Sequence, residues 1–357
     1  MRVEKDFLGK LSIPEHALHG IHSERAKRNF PSSNPFDINW YKSLGTIKKA
    51  CYLTCLSFVD SIQKYHPGKK FAFHIPTKEK LDLLIVAAEE IESGKWFEHF
   101  IVPAIQGGAG TSINMNINEI ITNRALILSG IPPGSYEHID PVEDANIYQS
   151  TNDVIPTSLK LTIIQLLNEL EEQINATRKK IENLENSYRN TLRIAYTQMQ
   201  EAVPSTYGRL FSTYNDALSR DWWRVSKCFE RVKVVNLGGS AIGTGTSVPR
   251  FFMVEVIQQL HKLTGLPLTR GENLQDATCN LDPLVEVHGI MKAHAVNLEK
   301  ISNDLRLLSS DLLQKREIQI PAKQMGSSIM PGKENPVIPE FVISAAHKVY
   351  ANDVLVS

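Results

Sequence analysis

The richest concentration of anion-binding and potentially reactive side chains lies at residues 326–336, which read GSSIMPGKENP. The two glycines allow backbone angles that other residues avoid, and the final proline stands where a helix can begin. Ser327 and Ser328 supply hydroxyl oxygens, and Lys333 and Asn335 supply N–H donors. A surface turn before a helix would explain the glycines and the proline but not this polar set. The run therefore predicts a loop that approaches an anion.

Two further segments interrupt the helical pattern with small and polar residues. Residues 106–116 read QGGAGTSINMN, in which three glycines free backbone N–H groups and Thr111 adds a hydroxyl. Residues 149–153 read QSTND and offer donors at Ser150, Thr151 and Asn152. Helix capping is the alternative for both, although a cap employs one such residue and not three in succession. The first segment lacks the Gly-Lys-Ser/Thr ending of a phosphate loop.

A fourth segment, residues 196–204 (YTQMQEAVP), separates two helical patterns. In order and rough spacing, the four segments resemble the conserved blocks of the fumarase/aspartase superfamily: GAGTSxNMNxNE, QSTND, TQxQxAVP and GSSxMPGKxN. Residues 270–278 and 301–306 are similar to that family as well. The resemblance extends over nearly the whole chain, and members of the family add or eliminate HX across a fumarate-like double bond.

The resemblance implies a mechanism. Removing a proton from carbon beside a carboxylate leaves an aci-carboxylate with two negative charges, which fixed donors stabilise by roughly 3–4 kcal/mol for a single well-placed donor. The family pattern assigns the base to Ser327, as an oxyanion supported by loop amides and by Lys333. Closure of the loop would exclude water and strengthen those contacts. The candidate donors to the intermediate are Thr111, Ser150, Thr151, Asn152, Ser328, Lys333 and Asn335.

Substrate choice depends on Gln198, which together with Thr197 is expected to bind substrate. Fumarases carry a histidine at the position of Gln198, and it pairs with a glutamate that Glu340 matches here. An amide cannot titrate as a proton donor. This block and the opening at residues 20–30 (GIHSERAKRNF) are more similar to aspartases, so the resemblance implies reversible elimination of ammonia from L-aspartate to give fumarate. It also implies that Arg25 helps to place a substrate carboxylate.

Two alternatives stay open. One is a class II fumarate hydratase, which Gln198 disfavours. The other is a non-catalytic structural or binding member of the superfamily, which is favoured by Glu334 in place of a small apolar residue beside Lys333. Residues 140–143 (DPVE) depart from the block that forms a secondary anion site in fumarases, so that site is not expected.

The elements that must position these segments are predicted to be helices. Apolar residues recur three and four apart, and Thr77, Pro249 and Gly265 are good helix boundaries. The predicted helices cover residues 41–64, 77–93, 167–191, 210–229, 249–265 and 282–308. Such long helices with little period-two alternation indicate an all-α protein, and their seams indicate a helical bundle.

Domain organisation follows from the same pattern. We expect a smaller, mainly helical N-terminal domain at residues 1–145 and a central long-helix bundle at 146–357. The resemblance implies a homotetramer in which this bundle is built between subunits and neighbouring chains share each active site. The family's C-terminal domain has no counterpart in this sequence, which stops at Ser357 soon after the helix predicted at Pro336.

Composition excludes several classes of partner. Lys plus Arg and Asp plus Glu both total 39, which leaves no global charge for nucleic acid or an anionic membrane. No stretch approaches the roughly twenty apolar residues of a membrane span, and the N-terminus lacks the apolar run of a signal peptide, so a cytoplasmic protein is predicted. Cys51 and Cys55 are interpreted as buried structural thiols and His294 as a hydrogen-bonded core residue. No cofactor and no metal site are predicted.

Overall fold

The structure is a computed structural model that describes residues 1–32, 34–69, 71, 73–313 and 316–357. Its Cα packing divides the chain into two compact units: unit 1 comprises residues 1–164 and 232–280, and unit 2 comprises residues 165–231 and 281–357. These packing units are not the continuous ranges 1–145 and 146–357, which stay a prediction about domains.

Helices dominate both units, as the all-α expectation requires, and the described strands form three two-stranded sheets. In chain order the elements are β1 (Arg2–Asp6), β2 (Gly9–Ile13), α1 (Ile21–Asn29), α2 (Ile38–Tyr65), α3 (Lys78–Glu92), a 3-10 turn (Phe97–His99), α4 (Thr111–Leu128), α5 (Thr151–Ser187), β3 (Leu192–Thr197), β4 (Gln200–Thr206), α6 (Tyr207–Val232), β5 (Val234–Val235), α7 (Arg250–Thr264), β6 (Thr269–Arg270), α8 (Leu274–Cys279), α9 (Asp282–Leu308) and α10 (Val337–Val356). None of the helices within the described residues is long and apolar enough to cross a membrane.

The core of unit 1 is built around α2, which packs on α3 and α7. The Asp37 carboxylate caps α2 by accepting hydrogen bonds from two backbone N–H groups, and Thr77 caps α3 as predicted. A Cβ on Gly45 would lie 2.5 Å from the backbone nitrogen of Glu92, so α2 and α3 approach each other closely at that glycine. Cys51 lies fully buried on α2, which confirms its structural interpretation.

The entry into α1 is held by a carboxylate from α4. Glu119 is 2% exposed and accepts hydrogen bonds from the backbone N–H groups of Gly20 (2.8 Å), His22 (2.9 Å) and Ser23 (3.2 Å). A helix N-terminus leaves such N–H groups without intrahelical partners, and an anion satisfies them best. This contact fixes the helix that carries Arg25.

Unit 2 consists of long helices and one hairpin. On the buried side of α9, His294 Nδ1 lies 2.9 Å from an oxygen of Asp221 on α6. The Asn297 amide donates to the same carboxylate. The core role predicted for His294 is therefore confirmed. A buried polar contact of this kind costs stability unless every member is satisfied, and it fixes the register of the two helices.

The segment 196–204, expected only to interrupt the bundle, forms most of an antiparallel β3–β4 hairpin. Gln198 and Met199 form its two-residue turn with φ values of 50° and 61°. Both residues adopt the left-handed conformation that a type I′ turn needs, although glycine or asparagine usually takes these places. The helical seam predicted to reach residue 191 ends earlier, because α5 stops at Ser187.

We predict that His19 makes unit 1 acid-sensitive. Its side chain is 8% exposed, and neither ring nitrogen makes a hydrogen bond within the described part of the chain. Burial lowers its pKa from 6.5 to about 4. Between these values the unfolded chain binds a proton that the native chain does not, so the free energy of unfolding falls as the pH falls from 6.5 towards 4.

Urea unfolding at pH 7 and pH 5 measures this effect. His19→Phe should show a smaller loss of stability between the two pH values than the parent. His138→Phe replaces an exposed histidine and should keep the parental loss. An equal pH dependence in His19→Phe and the parent would contradict the assignment.

Candidate functional site

Two helix N-termini meet in unit 1. Helix α4 begins at Thr111 after Gly110, which has φ of 87°, and α5 begins at Thr151. The Asn114 amide nitrogen on α4 lies 3.3 Å from Thr151 Oγ1, and a Cβ on Gly110 would lie 3.0 Å from a side-chain carbon of Ile155. Each helix brings a partial positive charge to its N-terminus. The pair therefore forms a surface suited to an anion.

The side chains predicted to bind substrate line these N-termini. Thr111 and Asn152 are exposed, and Ser150 and Thr151 are half-buried. The Ser150 hydroxyl oxygen accepts from the backbone N–H of Asn152 (3.2 Å), so it also caps α5. Unit 1 thus brings together four of the predicted donors, and capping accounts for only one of them.

A buried polar cluster holds the two N-termini in place. The amide oxygen of Asn146 accepts from Asn114 (3.0 Å), Asn118 (3.2 Å) and the Lys48 ammonium (3.2 Å). Lys48 also donates to Gln149 Oε1 at 2.8 Å. The Lys48 side chain is fully buried, and this burial lowers its pKa to about 7. An amine that is only partly protonated near neutral pH therefore lies beneath the same surface that the helix dipoles make positive.

In unit 2 the 326–336 segment forms a closed turn. The backbone N–H of Gly326 donates to the carbonyl of Lys333 (2.9 Å), and the Asn335 amide donates to the carbonyl of Gly326 (2.9 Å). Within the turn, Ser327 Oγ accepts from the backbone N–H groups of Ile329 (3.3 Å) and Met330 (3.1 Å). Two N–H donors aimed at one hydroxyl oxygen favour its ionised form. Lys333 is exposed.

Of the three remaining candidates, two lie outside these clusters. Gln198 lies at the tip of the β3–β4 hairpin and lines a cavity of about 580 Å³ with Tyr214 and Lys300, and Thr197 pairs with Gln200 in the hairpin. Ser328 is exposed beside Ser327. The roles assigned to these residues stay predictions.

Arg25 and Glu340 are occupied by partners within their own units. Arg25 binds both carboxylate oxygens of Asp6, at 2.7 and 2.8 Å, and its hydrogen bond lowers the pKa of Asp6. Glu340 lies 3.5 Å from Arg306. A substrate-binding role for Arg25 stays a prediction, which would require its guanidinium to share or leave Asp6.

One segment that touches the site was not predicted from the sequence. Residues 236–247 (NLGGSAIGTGTS) form a glycine-rich turn, in which Ala241 accepts a hydrogen bond from Asn152 (2.7 Å) and Asn236 donates to the carbonyl of Asn152 (2.9 Å). The density of glycines and hydroxyls in this run matches that of the segments at 106–116 and 326–336. That composition was the signal available in the sequence.

Thiol and metal chemistry have little support among the described residues. Burial raises the pKa of Cys51 and of Cys55 well above the usual value, which disfavours the reactive thiolate. No group of three or more His, Cys, Asp or Glu side chains in the described ranges is arranged to hold a metal ion.

Comparisons with known proteins agree with the family resemblance of the four sequence segments. The family described as Lyase matches residues 9–351. The aspartate ammonia-lyase of a Bacillus species is 38% identical over 359 residues, which are 100% of this chain and 74% of that protein. The aspartate ammonia-lyase of Escherichia coli (strain K12) is 37% identical over 362 residues, 100% of this chain and 73% of that protein.

Solved structures show the same fold. The fumarate lyase:delta crystallin from Brucella melitensis superposes with a TM-score of 0.88 at 35% identity and covers 99% of this chain and 78% of its own. The recombinant class II fumarase from Schistosoma mansoni gives a TM-score of 0.88 at 26% identity, with coverage of 99% and 75%. The chain belongs to this lyase family, the superfamily of aspartases and fumarases, and the resemblance inferred from the blocks is confirmed.

We predict that Gly326→Ala opens the closed turn at residues 326–336, which we call the signature turn. An added Cβ would lie 2.7 Å from the carbonyl oxygen of Lys333 and 2.8 Å from Asn335 Oδ1, so the closing contacts must separate. Trypsin cleavage after Lys333, followed by mass spectrometry, should become roughly tenfold faster, as expected for about 1.4 kcal/mol of easier opening. Gly289→Ala adds the same methyl in open space on α9, with no left-handed φ, and should be cleaved after Lys333 at the parental rate. Equal cleavage of the two variants would refute the closed turn.

Proposed function

We propose that this member of the aspartase/fumarase superfamily is an aspartate ammonia-lyase, which reversibly eliminates ammonia from L-aspartate to give fumarate. The observation that carries the proposal is the pair of helix N-termini at Thr111 and Thr151, lined by hydroxyl and amide donors that suit a carboxylate. The whole-chain identity with aspartate ammonia-lyases supports the same conclusion.

In the proposed mechanism, Ser327 acts as the base. Its ionised oxygen, which accepts two backbone N–H groups in the turn, takes a proton from Cβ of L-aspartate, beside the β-carboxylate, and becomes a neutral hydroxyl. The electron pair of that C–H bond moves into the adjacent carboxylate and produces the aci-carboxylate dianion. When the pair returns, the C–C double bond forms, the C–N bond breaks and ammonia leaves with its electron pair. Lys333 and Asn335 are assigned to stabilise charge during these steps.

Gln198 supports the choice of an amine leaving group. A hydroxide leaving group needs a proton from an acid at the moment it departs, and a glutamine amide has no titratable proton. An ammonium group is already a competent leaving group. Glu340, which would pair with a histidine in a hydratase, instead faces Arg306.

Assembly into a homotetramer is part of the proposal. The helices of unit 2 expose large apolar side chains, including Trp223 (59% exposed), Val296 (52%) and Phe341 (71%). Such surfaces favour burial against further copies of the chain. Shared active sites would then unite donor groups from neighbouring subunits. We also place the enzyme in the cytoplasm, with which its four free cysteines are consistent.

A fumarate hydratase is the second candidate, because the class II fumarase from Schistosoma mansoni superposes on nearly the whole chain. We predict that the purified protein releases ammonia from L-aspartate and consumes fumarate only when ammonium is present. Fumarate absorbance and an ammonia assay measure both directions. Consumption of fumarate in water alone, with malate as product, would identify the hydratase. A folded tetramer without either activity would identify a non-catalytic member.

We predict that Ser327→Ala lowers kcat by about 10²–10⁴, the usual contribution of a positioned base, without a matching loss of thermal stability. Ser226→Ala, which removes the hydroxyl of a half-buried serine on α6 that donates to the Trp223 carbonyl, is the matched control and should retain the parental kcat. Steady-state rates with L-aspartate and melting temperatures of both variants provide the measurement. Turnover by Ser327→Ala within a few-fold of the parent would assign the base to another residue.

A further inference from the structure

The glycine-rich turn at residues 236–247 is held by internal hydrogen bonds within unit 1. Its backbone is closed by a hydrogen bond from Gly245 N–H to the carbonyl of Gly239 (2.9 Å). Ser240 holds a left-handed φ of 59°, which is uncommon for a residue with a side chain. A conformation of that kind persists where surrounding contacts determine it.

The conformation of Ser240 is fixed by contact with a carboxylate from the segment at residues 149–153. Asp153 is buried, and its Oδ1 accepts the backbone N–H of Ser150 at 2.9 Å. Its Oδ2 accepts the N–H groups of Ser240 (2.9 Å) and Gly238 (3.2 Å). One side chain therefore joins the N-terminus of α5 to the glycine-rich turn.

The two segments also meet at the proposed substrate donor Asn152. Its amide nitrogen donates one hydrogen to Ala241 O at 2.7 Å, and an amide nitrogen carries two hydrogens. A ligand oxygen bound by the second hydrogen would lie about 3 Å from that nitrogen. It would then lie within about 6 Å of Ala241 O, since two hydrogen-bond lengths of about 3 Å separate them. The turn therefore borders any ligand that Asn152 holds.

We propose that the turn at residues 236–247 forms a further wall of the dicarboxylate site, and that Asp153 is the positioning residue that holds this wall against Ser150, Thr151 and Asn152. The inference rests on the proposed function, because it takes the ligand of Asn152 to be a dicarboxylate. This wall bounds the space that a ligand can occupy beside the N-terminus of α5.

The charge environment agrees with a positioning role. Burial raises the pKa of Asp153 to about 7, while the three N–H donors and the nearby Lys48 ammonium favour the ionised form. Asp153 has no free lone-pair direction towards solvent to spare for a ligand, as it lies at 0% exposure. It acts through the groups that it holds.

Asp153→Asn is the first test. An amide has one accepting oxygen, so it cannot accept from Ser150 and from the turn at once, and its NH₂ faces an N–H group on one side. We expect the dissociation constant for fumarate, measured by calorimetry, and KM for L-aspartate to rise at least tenfold, with a smaller change in kcat. Asp144→Asn is the matched control, because that buried carboxylate binds His74 and Lys80. It should lose stability but keep both constants within about twofold.

Gly243→Ala is the second test. Gly243 has φ of 79°, and an added Cβ would lie 2.4 Å from backbone atoms of Leu274 and Gln275, so the turn must shift. Gly265→Ala places the same methyl at φ of 67° with no atom within 4 Å, and both variants bear the same backbone strain. The fumarate dissociation constant should rise at least fivefold in Gly243→Ala and stay near the parental value in Gly265→Ala.

The outcomes separate the two proposals. If the parent binds fumarate but releases no ammonia from L-aspartate, the proposed function fails while the dissociation constants still test the wall. Equal fumarate affinity in Asp153→Asn and Asp144→Asn, or in the two alanine variants, would overturn the wall. A parental protein that binds no dicarboxylate would also overturn the proposed wall. If Gly243→Ala does not fold, the comparison of the two asparagine variants decides.

Discussion

The constraint on which unit 1 depends is the clustering of like charge at its centre. Two helix N-termini and the buried Lys48 amine lie close together, and the protonated amine and the helix N-termini repel one another in a medium that screens poorly. The amide oxygen of Asn146 and the carboxylate of Asp153 offset part of this repulsion. The cluster remains complementary to an anion, since its nearest exposed groups are donors. A bound dicarboxylate would compensate the positive charge that the folded protein alone leaves uncompensated.

Buried carboxylates in unit 1 lie where backbone N–H groups need an acceptor. Glu119 and Asp153 each take backbone N–H groups that no helix or sheet could satisfy, and burial raises the pKa of each to about 7. Apolar side chains at these positions would leave those N–H groups unpaired, at about 1–3 kcal/mol for each. The buried carboxylates thus position functional loops, and their desolvation cost is offset by those hydrogen bonds.

In unit 2 the residues predicted to form the site lie on turns and not at helix N-termini. The hairpin tip at Gln198 and Met199 holds two consecutive left-handed residues with side chains, and the signature turn wraps its backbone around Ser327 Oγ. Left-handed backbone costs of the order of 1–3 kcal/mol for each such residue and is found most often at functional sites. The left-handed backbone at the hairpin tip is therefore held by its surroundings, and it marks the hairpin as a candidate functional element of unit 2.

Local patterns in the sequence were sufficient for most of the long helices and for the family, whereas α4 and α8 were not among the predicted helices. The three-and-four spacing of apolar residues, with Thr77, Pro249 and Gly265 as boundaries, depends only on neighbours within one helical turn or two, so α3 and α7 could be predicted closely. The short contiguous segments around Ser327 and Thr111 were likewise enough to recognise the family.

Tertiary structure decided which of these groups meet. Asn146 collects a lysine 98 positions away, and Asp153 reaches a turn 85 positions away, and no periodicity records such pairs because they depend on how α2, α4 and α5 pack. The hairpin at Gln198 also escaped prediction, since its turn lacks the glycine or asparagine that normally marks one. Sequence thus determined the elements and the chemistry available to them, and packing determined which donors share one site.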